Sequence, residues 1–191
     1  HAYQDHELWE IADYMGDSYG LSLQAQKAPQ KNVIMCGVRF MAETVKTLAP
    51  DKHVFLANAK AGCPMADQLS REDVLELKEK YPEHTVCAYI NTTADLKRAV
   101  DVIVTSSSAM KIIGNMPEEK ILFVPDPNLG GWIANQITEK AFAFSGEGCP
   151  SHRMITADDV KRARELHPDA EILVHPECIA EVTELADYAG S

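Results

Sequence analysis

The chain has 191 residues, 46% of them hydrophobic and 25% charged, an ordinary globular balance with room for one large domain or two small ones. A formal net charge of −11 argues against nucleic acid or an anionic membrane as the main partner, and it means that an anionic ligand needs a local attraction. No apolar run approaches the length of a membrane-spanning helix, and residues 1–10 are polar without a signal-peptide pattern, so the expected compartment is the cytoplasm.

In chain order, short branched apolar runs at 33–35, 54–56, 86–90, 102–104, 121–124 and 172–174 read as strands. Helical stretches lie between them. Two of these, at 71–80 and 157–166, follow Ser70 and Thr156, both good N-caps. Such alternation predicts an α/β fold built on parallel sheet with crossover helices. The cysteines, Cys36, Cys63, Cys87, Cys149 and Cys178, are odd in number and widely spaced, which disfavours a disulfide framework. They contain no CxxC pair. A zinc enzyme using His and Cys is the weaker reading, because the spacing shows no local chelating pair.

Sliding the chain against itself is more informative. At an offset of 86, Gly62-Cys63-Pro64 falls on Gly148-Cys149-Pro150, Ser70 on Thr156, Asp73-Val74 on Asp159-Val160, Pro82 on Pro168 and Asp101 on Asp187. At an offset of 88 the N-terminus joins in. His1, Tyr89 and His175 become equivalent, as do Tyr3, Asn91 and Glu177, and Ser18 falls on Ser106. The repeat therefore predicts parts of three similar α/β/α units: residues 1–18 from an incomplete third unit, 19–105 as the first and 106–191 as the second. Three copies can surround a pseudo-threefold axis, so that equivalent residues at the carboxyl ends of strands converge on one cavity.

The strings HAYQ, GDSYGLS, CGVRFMAE, AGCPMAD, YINTTADLK, TSSSA, PDPNLGGW, GEGCPSH and HPEC, in this order, resemble the quinolinate synthase family from end to end. The resemblance implies three α/β/α domains around a pseudo-threefold axis, with a 4Fe-4S cluster at their junction. It implies condensation of iminoaspartate with dihydroxyacetone phosphate to quinolinate, and a functional link to the enzyme that supplies iminoaspartate. Neither nucleic acid nor membrane is an expected partner.

Cysteine is most often a small buried hydrophobe. Cys63 and Cys149 stand apart because they share one place in the repeat, and thiolates are the usual ligands of iron–sulfur clusters. Only two such cysteines are present, so a third ligand is expected about one period beyond Cys149, outside this chain. Three ligands on four irons leave one iron open as a Lewis acid. Cys36 and Cys87 read as core, and Cys178 as a packing residue. The resemblance gives Glu177, His175, His1 and Tyr3 roles in proton transfer and enolate stabilisation, and Tyr89, Asn91, Ser18, Ser106 and Ser191 roles in binding carboxylate or phosphate. For the serines the plainer reading is N-capping. His152 reads either as support for the cluster side or as a solvated loop residue. The rival functions are another iron–sulfur lyase or dehydratase, and a non-enzymatic anion-binding α/β module, which leaves the paired GCP motifs without a reason.

Overall fold

Every strand pairing is parallel, as the alternation of elements requires. The computed structural model describes residues 1–191. An N-terminal helix α1 (His6–Ile11) precedes α2 (Ser18–Lys27), β1 (Asn32–Met35), α3 (Arg39–Leu48) and β2 (His53–Leu56). There follow α4 (Arg71–Lys80), β3 (Thr85–Tyr89), α5 (Ala94–Lys97), β4 (Val102–Val104), α6 (Ala109–Asn115), β5 (Lys120–Val124), α7 (Pro127–Gln136) and β6 (Ala141–Phe144). The chain ends with α8 (Pro150–Arg153), α9 (Ala157–Leu166), β7 (Leu173–Val174), α10 (Ala180–Thr183) and β8 (Tyr188–Ala189). No helix is long and apolar enough to cross a membrane.

The repeat is visible in the element bounds. α4 and α9 coincide end for end at an offset of 86, as do α5 and α10. α3 and α7, and likewise β2 and β6, coincide at an offset of 88. Ser70 and Thr156 both close a capping box. Each hydroxyl accepts the N–H of the third helical residue, Asp73 or Asp159, whose carboxylate accepts the cap's own N–H. Two strands escaped the expected set: β6, where the short AFAF run alternates small and aromatic residues, and β8, which has only two residues.

The strands form three sheets. β1 pairs with β2, β7 with β8, and the middle sheet has the order β4-β3-β5-β6. The division at 105/106 drawn from the repeat falls between β4 and β5, inside this middle sheet, because β3 pairs with both.

The middle sheet is covered on both faces, which explains its near-continuous apolar strands. Cys87, Tyr89, Ile121 and Phe123 face Ile113 of α6 and Leu129 and Ile133 of α7. Their neighbours in sequence, Val86, Ala88, Leu122 and Val124, face Val74 of α4 and Leu96 of α5. Each fully buried Val, Leu or Ile stabilises the fold by about 1.5–3 kcal/mol relative to leaving it in water. A separate cluster holds Leu21 and Ala25 of α2 against Met35, Phe40, Met41 and Val45. It is joined to the helices beside the middle sheet where Glu43 accepts the Ala94 N–H at 2.7 Å and Lys97 lies over the Phe40 ring. The smallest cluster consists of Val160, Cys178 and Val182.

Candidate functional site

In the middle sheet the chain passes from β3 to β4 on one side and returns to β5 on the other side of β3. Such a reversal opens a crevice at the carboxyl ends of the two strands, where ligands of open α/β sheets bind. Tyr89 ends β3, and Asp126 follows β5 and caps α7. The HPEC loop after β7 closes over this point and brings Glu177, 88 positions along from Tyr89, into contact with it.

Glu177 is almost fully buried. Its Oε1 accepts the Tyr89 phenol at 2.7 Å and lies 3.6 Å from His175 Nδ1. Its Oε2 lies 3.2 Å from His152 Nδ1. That nitrogen has no directed hydrogen bond, so the contact is an ion pair at close range and off the hydrogen-bonding line. The loop is held locally by the Glu177 N–H donating to His175 Nδ1 at 3.2 Å, and from α7 by Asn128 Nδ2 donating to the Glu177 carbonyl at 3.2 Å. The His152 and His175 rings lie 5.1 Å apart.

Electrostatics separates these groups. Burial would raise the Glu177 carboxyl, but His152, Tyr89 and His175 together hold it below its ordinary value. Tyr89 is driven well above the usual phenol range by burial and by the adjacent Glu177 charge. His152 is raised to about 10 by the Cys149 thiol and then by Glu177. Burial, with the charge of His152 opposing ionisation too, moves His175 the other way. Near neutral pH the cluster therefore contains a carboxylate, a cationic imidazole, a neutral imidazole and a protonated phenol.

Cys149 stands at this cluster, with its sulfur, a His152 nitrogen and a Glu177 oxygen all within 4.8 Å of one another. Cys149 and His152 form the locally spaced pair that the sequence reading passed over, which corrects the statement that no chelating pair exists. Cys63 packs against the same core as Cys149 and is close enough for Cys149 to oppose the ionisation of Cys63. Burial raises the Cys63 thiol, while the amides of Met65 and Ala66 face its sulfur and favour the thiolate.

Of the remaining expected residues, Ser106 is half-buried and faces the Tyr89 phenol. Asn91 is half-buried and its side chain makes no hydrogen bond. His1 and Tyr3 are not brought to Glu177. The His1 amino group donates to the Cys36 carbonyl at 3.0 Å, and Tyr3 is 82% exposed. Ser18 is the first residue of α2, capped by Asp17 rather than by itself, and its carbonyl accepts the Ser22 hydroxyl. Ser191 is exposed at the last position. Cys87 and Cys178 are buried as expected, whereas Cys36 is half-buried beside a cavity. Asp126 and Asn128 went unassigned, although PDPN carries a legible helix start, with an Asp cap followed by Pro at the first position.

The larger cavity, about 400 Å³, lies away from this chemistry, between the N-terminal segment and β1, where His1, Trp9 and Met35 line it. A second cavity of about 290 Å³ touches the cluster through His152, His175 and Cys178. The acid–base geometry identifies the site better than cavity size does, because only that cluster combines titratable groups driven apart by their surroundings.

These features define a parallel α/β protein with a buried acid–base cluster beside two approximated thiols at a sheet switch point. The family described as Quinolinate synthetase A protein matches residues 1–191, and the chain belongs to that family. It is 48% identical over 191 residues to the quinolinate synthase of Caldicellulosiruptor bescii, covering all of this chain and 63% of that protein. Over the same 191 residues it is 47% identical to the quinolinate synthase of Clostridioides difficile, covering 63% of it, and 46% identical to that of Aquifex aeolicus, covering 59%. The chain thus spans about three-fifths of the length of these relatives.

Proposed function

We propose that this chain, in its full-length protein, is a quinolinate synthase of NAD biosynthesis that condenses iminoaspartate with dihydroxyacetone phosphate, releasing water and phosphate. The observation that carries the reading, within the family just stated, is Glu177: a buried carboxylate with a phenol and an imidazole on one oxygen, a second imidazole on the other, and Cys149 alongside.

The donor set fits an iron–sulfur group. Cys63 and Cys149 are half-buried thiols from equivalent places in a repeat, one facing two backbone amides, and they lie near each other across two units. In this reading they would hold a 4Fe-4S cluster together with a third thiolate from a further unit around a pseudo-threefold axis, and when bound it would supply Lewis-acid chemistry.

The chain's own residues handle protons and orientation. His175, kept neutral with its Nδ1 accepting the Glu177 N–H, carries its proton on Nε2 and can donate it to a substrate oxygen or nitrogen. Glu177 stays ionised, balances the charge on the histidines and keeps the Tyr89 hydroxyl fixed. Tyr89 retains its proton and can donate a hydrogen bond to a developing oxyanion. Ser106, beside that phenol, offers a hydroxyl to a carboxylate or phosphate in a chain whose net charge of −11 gives no long-range help. Asn91, His1, Tyr3, Ser18 and Ser191 are assigned to the completed cavity.

The test is anaerobic preparation of the full-length protein and its Glu177→Gln variant, with quinolinate measured directly. The variant is expected to retain iron and fold while losing roughly a hundredfold or more in rate, because the charge that sets the histidine protonation states and fixes the Tyr89 donor is gone. Near-normal turnover in Glu177→Gln would overturn its role, and a full-length protein that loads iron yet makes no quinolinate would overturn the reaction.

A further inference from the structure

The loops carrying Cys63 and Cys149 are far apart in sequence, and one side chain ties them together. Gln68 lies outside any helix, five positions beyond Cys63. Its Nε2 donates to the Met65 carbonyl at 3.0 Å and to the Pro125 carbonyl at 3.3 Å. Its Oε1 accepts the Glu147 N–H at 2.5 Å, in the loop that leads to Cys149. The Pro125 carbonyl also accepts the Gly148 N–H at 3.1 Å.

Asp126 completes the tie. It is fully buried, and its Oδ1 accepts the N–H groups of Asn128 and Leu129 at 2.9 and 3.1 Å. The Cys149 amide faces the same carboxylate, while Oδ2 is left without a directed partner. The cysteine loop can lie this close only because it has two glycines at positive φ. A Cβ on Gly146 (φ 113°) would sit 2.1 Å from the Pro125 oxygen, and one on Gly148 (φ 74°) 2.9 Å from Asp126 Oδ1.

The repeat shows that these contacts are not a general device of the unit. The counterpart of Gln68 at an offset of 86 is Met154, which is 79% exposed. The counterpart of Asp126 at an offset of 88 is the apolar Val38. Within this chain the two polar residues stand where the two cysteine loops meet.

We infer that Gln68 and Asp126 are positioning residues that set the separation of the Cys63 and Cys149 thiols and so govern how firmly an iron–sulfur group is held. The inference rests on the cluster reading above. Groups behind metal ligands typically change metal affinity by about 10–100-fold when removed.

The test uses the full-length protein prepared anaerobically as Gln68→Ala, Asp126→Asn, Cys63→Ser, Cys149→Ser and Ile133→Val. Ile133 is a core residue of α7 and serves as a control for general loss of stability. Iron and sulfide per chain, the rate of iron release to a chelator, the reduction potential and Tm are measured on each. Gln68→Ala and Asp126→Asn are expected to release iron about tenfold faster than wild type, with a shifted potential, while Ile133→Val lowers Tm without either change. Release from both positioning variants at the Ile133→Val rate would overturn the inference. Full iron in both cysteine variants would instead overturn the cluster reading beneath it. Should Asp126→Asn fail to fold, Gln68→Ala decides alone, since Gln68 caps no helix and lies outside the core clusters.

Discussion

The middle sheet and the sheet of β1 and β2 are built from the same repeat, yet they present different surfaces. In the middle sheet β3 and β5 pair with each other and with a further strand on each side, and helices cover both faces. β1 and β2 correspond to β5 and β6, but β1 has no neighbour in the place that β3 occupies beside β5. Ile34 is accordingly 70% exposed and Phe55 55% exposed, where the equivalent Leu122 is fully buried. Leu173 of β7, at 67% exposure, reports the same condition from the other half of the unit. A strand sequence specifies its own conformation, but burial requires a partner on each side.

The largest expected effect that separates the two regions is in the core. Leu122→Ala should destabilise by about 2–5 kcal/mol in urea unfolding, whereas Ile34→Ala should change stability by less than about 0.5 kcal/mol in this chain. Equal costs at the two positions would break the comparison.

Alkaline pH offers the next test. Burial pushes the Cys87 thiol in β3 up to about 12 from an ordinary 9.0. The folded state therefore keeps a proton that the unfolded chain loses, so this contribution is intact below pH 9 and disappears as pH rises toward 12. Its slope is at most about 1.4 kcal/mol per pH unit, and it should vanish in Cys87→Ala. Parallel pH profiles for the two proteins above pH 9 would contradict the burial of that thiol.

Smaller effects compare the repeats helix by helix. Ser70→Ala and Thr156→Ala each remove the hydroxyl of a capping box, and each should cost about 1 kcal/mol. Hydrogen exchange should register the loss locally in both helices. The absolute protection of α9 should remain below that of α4, because α9 packs on the small cluster of Val160, Cys178 and Val182. Equal protection of α4 and α9 would show that the small cluster under α9 is as cooperative as the core under α4.

Much of the site was legible along the chain because its residues occupy repeated places. Tyr89 and His175 are equivalent strand ends, and Cys63 and Cys149 share a Gly-Cys-Pro turn. Alternating apolar and helical runs determined the α/β class, N-cap residues the capped helices, and the repeat the matched cysteines and polar strand ends, since hydrophobic period, cap chemistry and offset are properties of the sequence itself. Tertiary structure decided which of these residues meet. It brought His152 and Glu177 to Cys149, and it left His1 and Tyr3 at the N-terminal segment and Ser191 at the last residue. It also placed Gln68 and Asp126, which stand outside the repeat pattern, between the two cysteine loops. Contacts of this kind depend on how separate units dock and on where a glycine allows two backbones to approach, and the periodicity of one strand or helix carries no record of either.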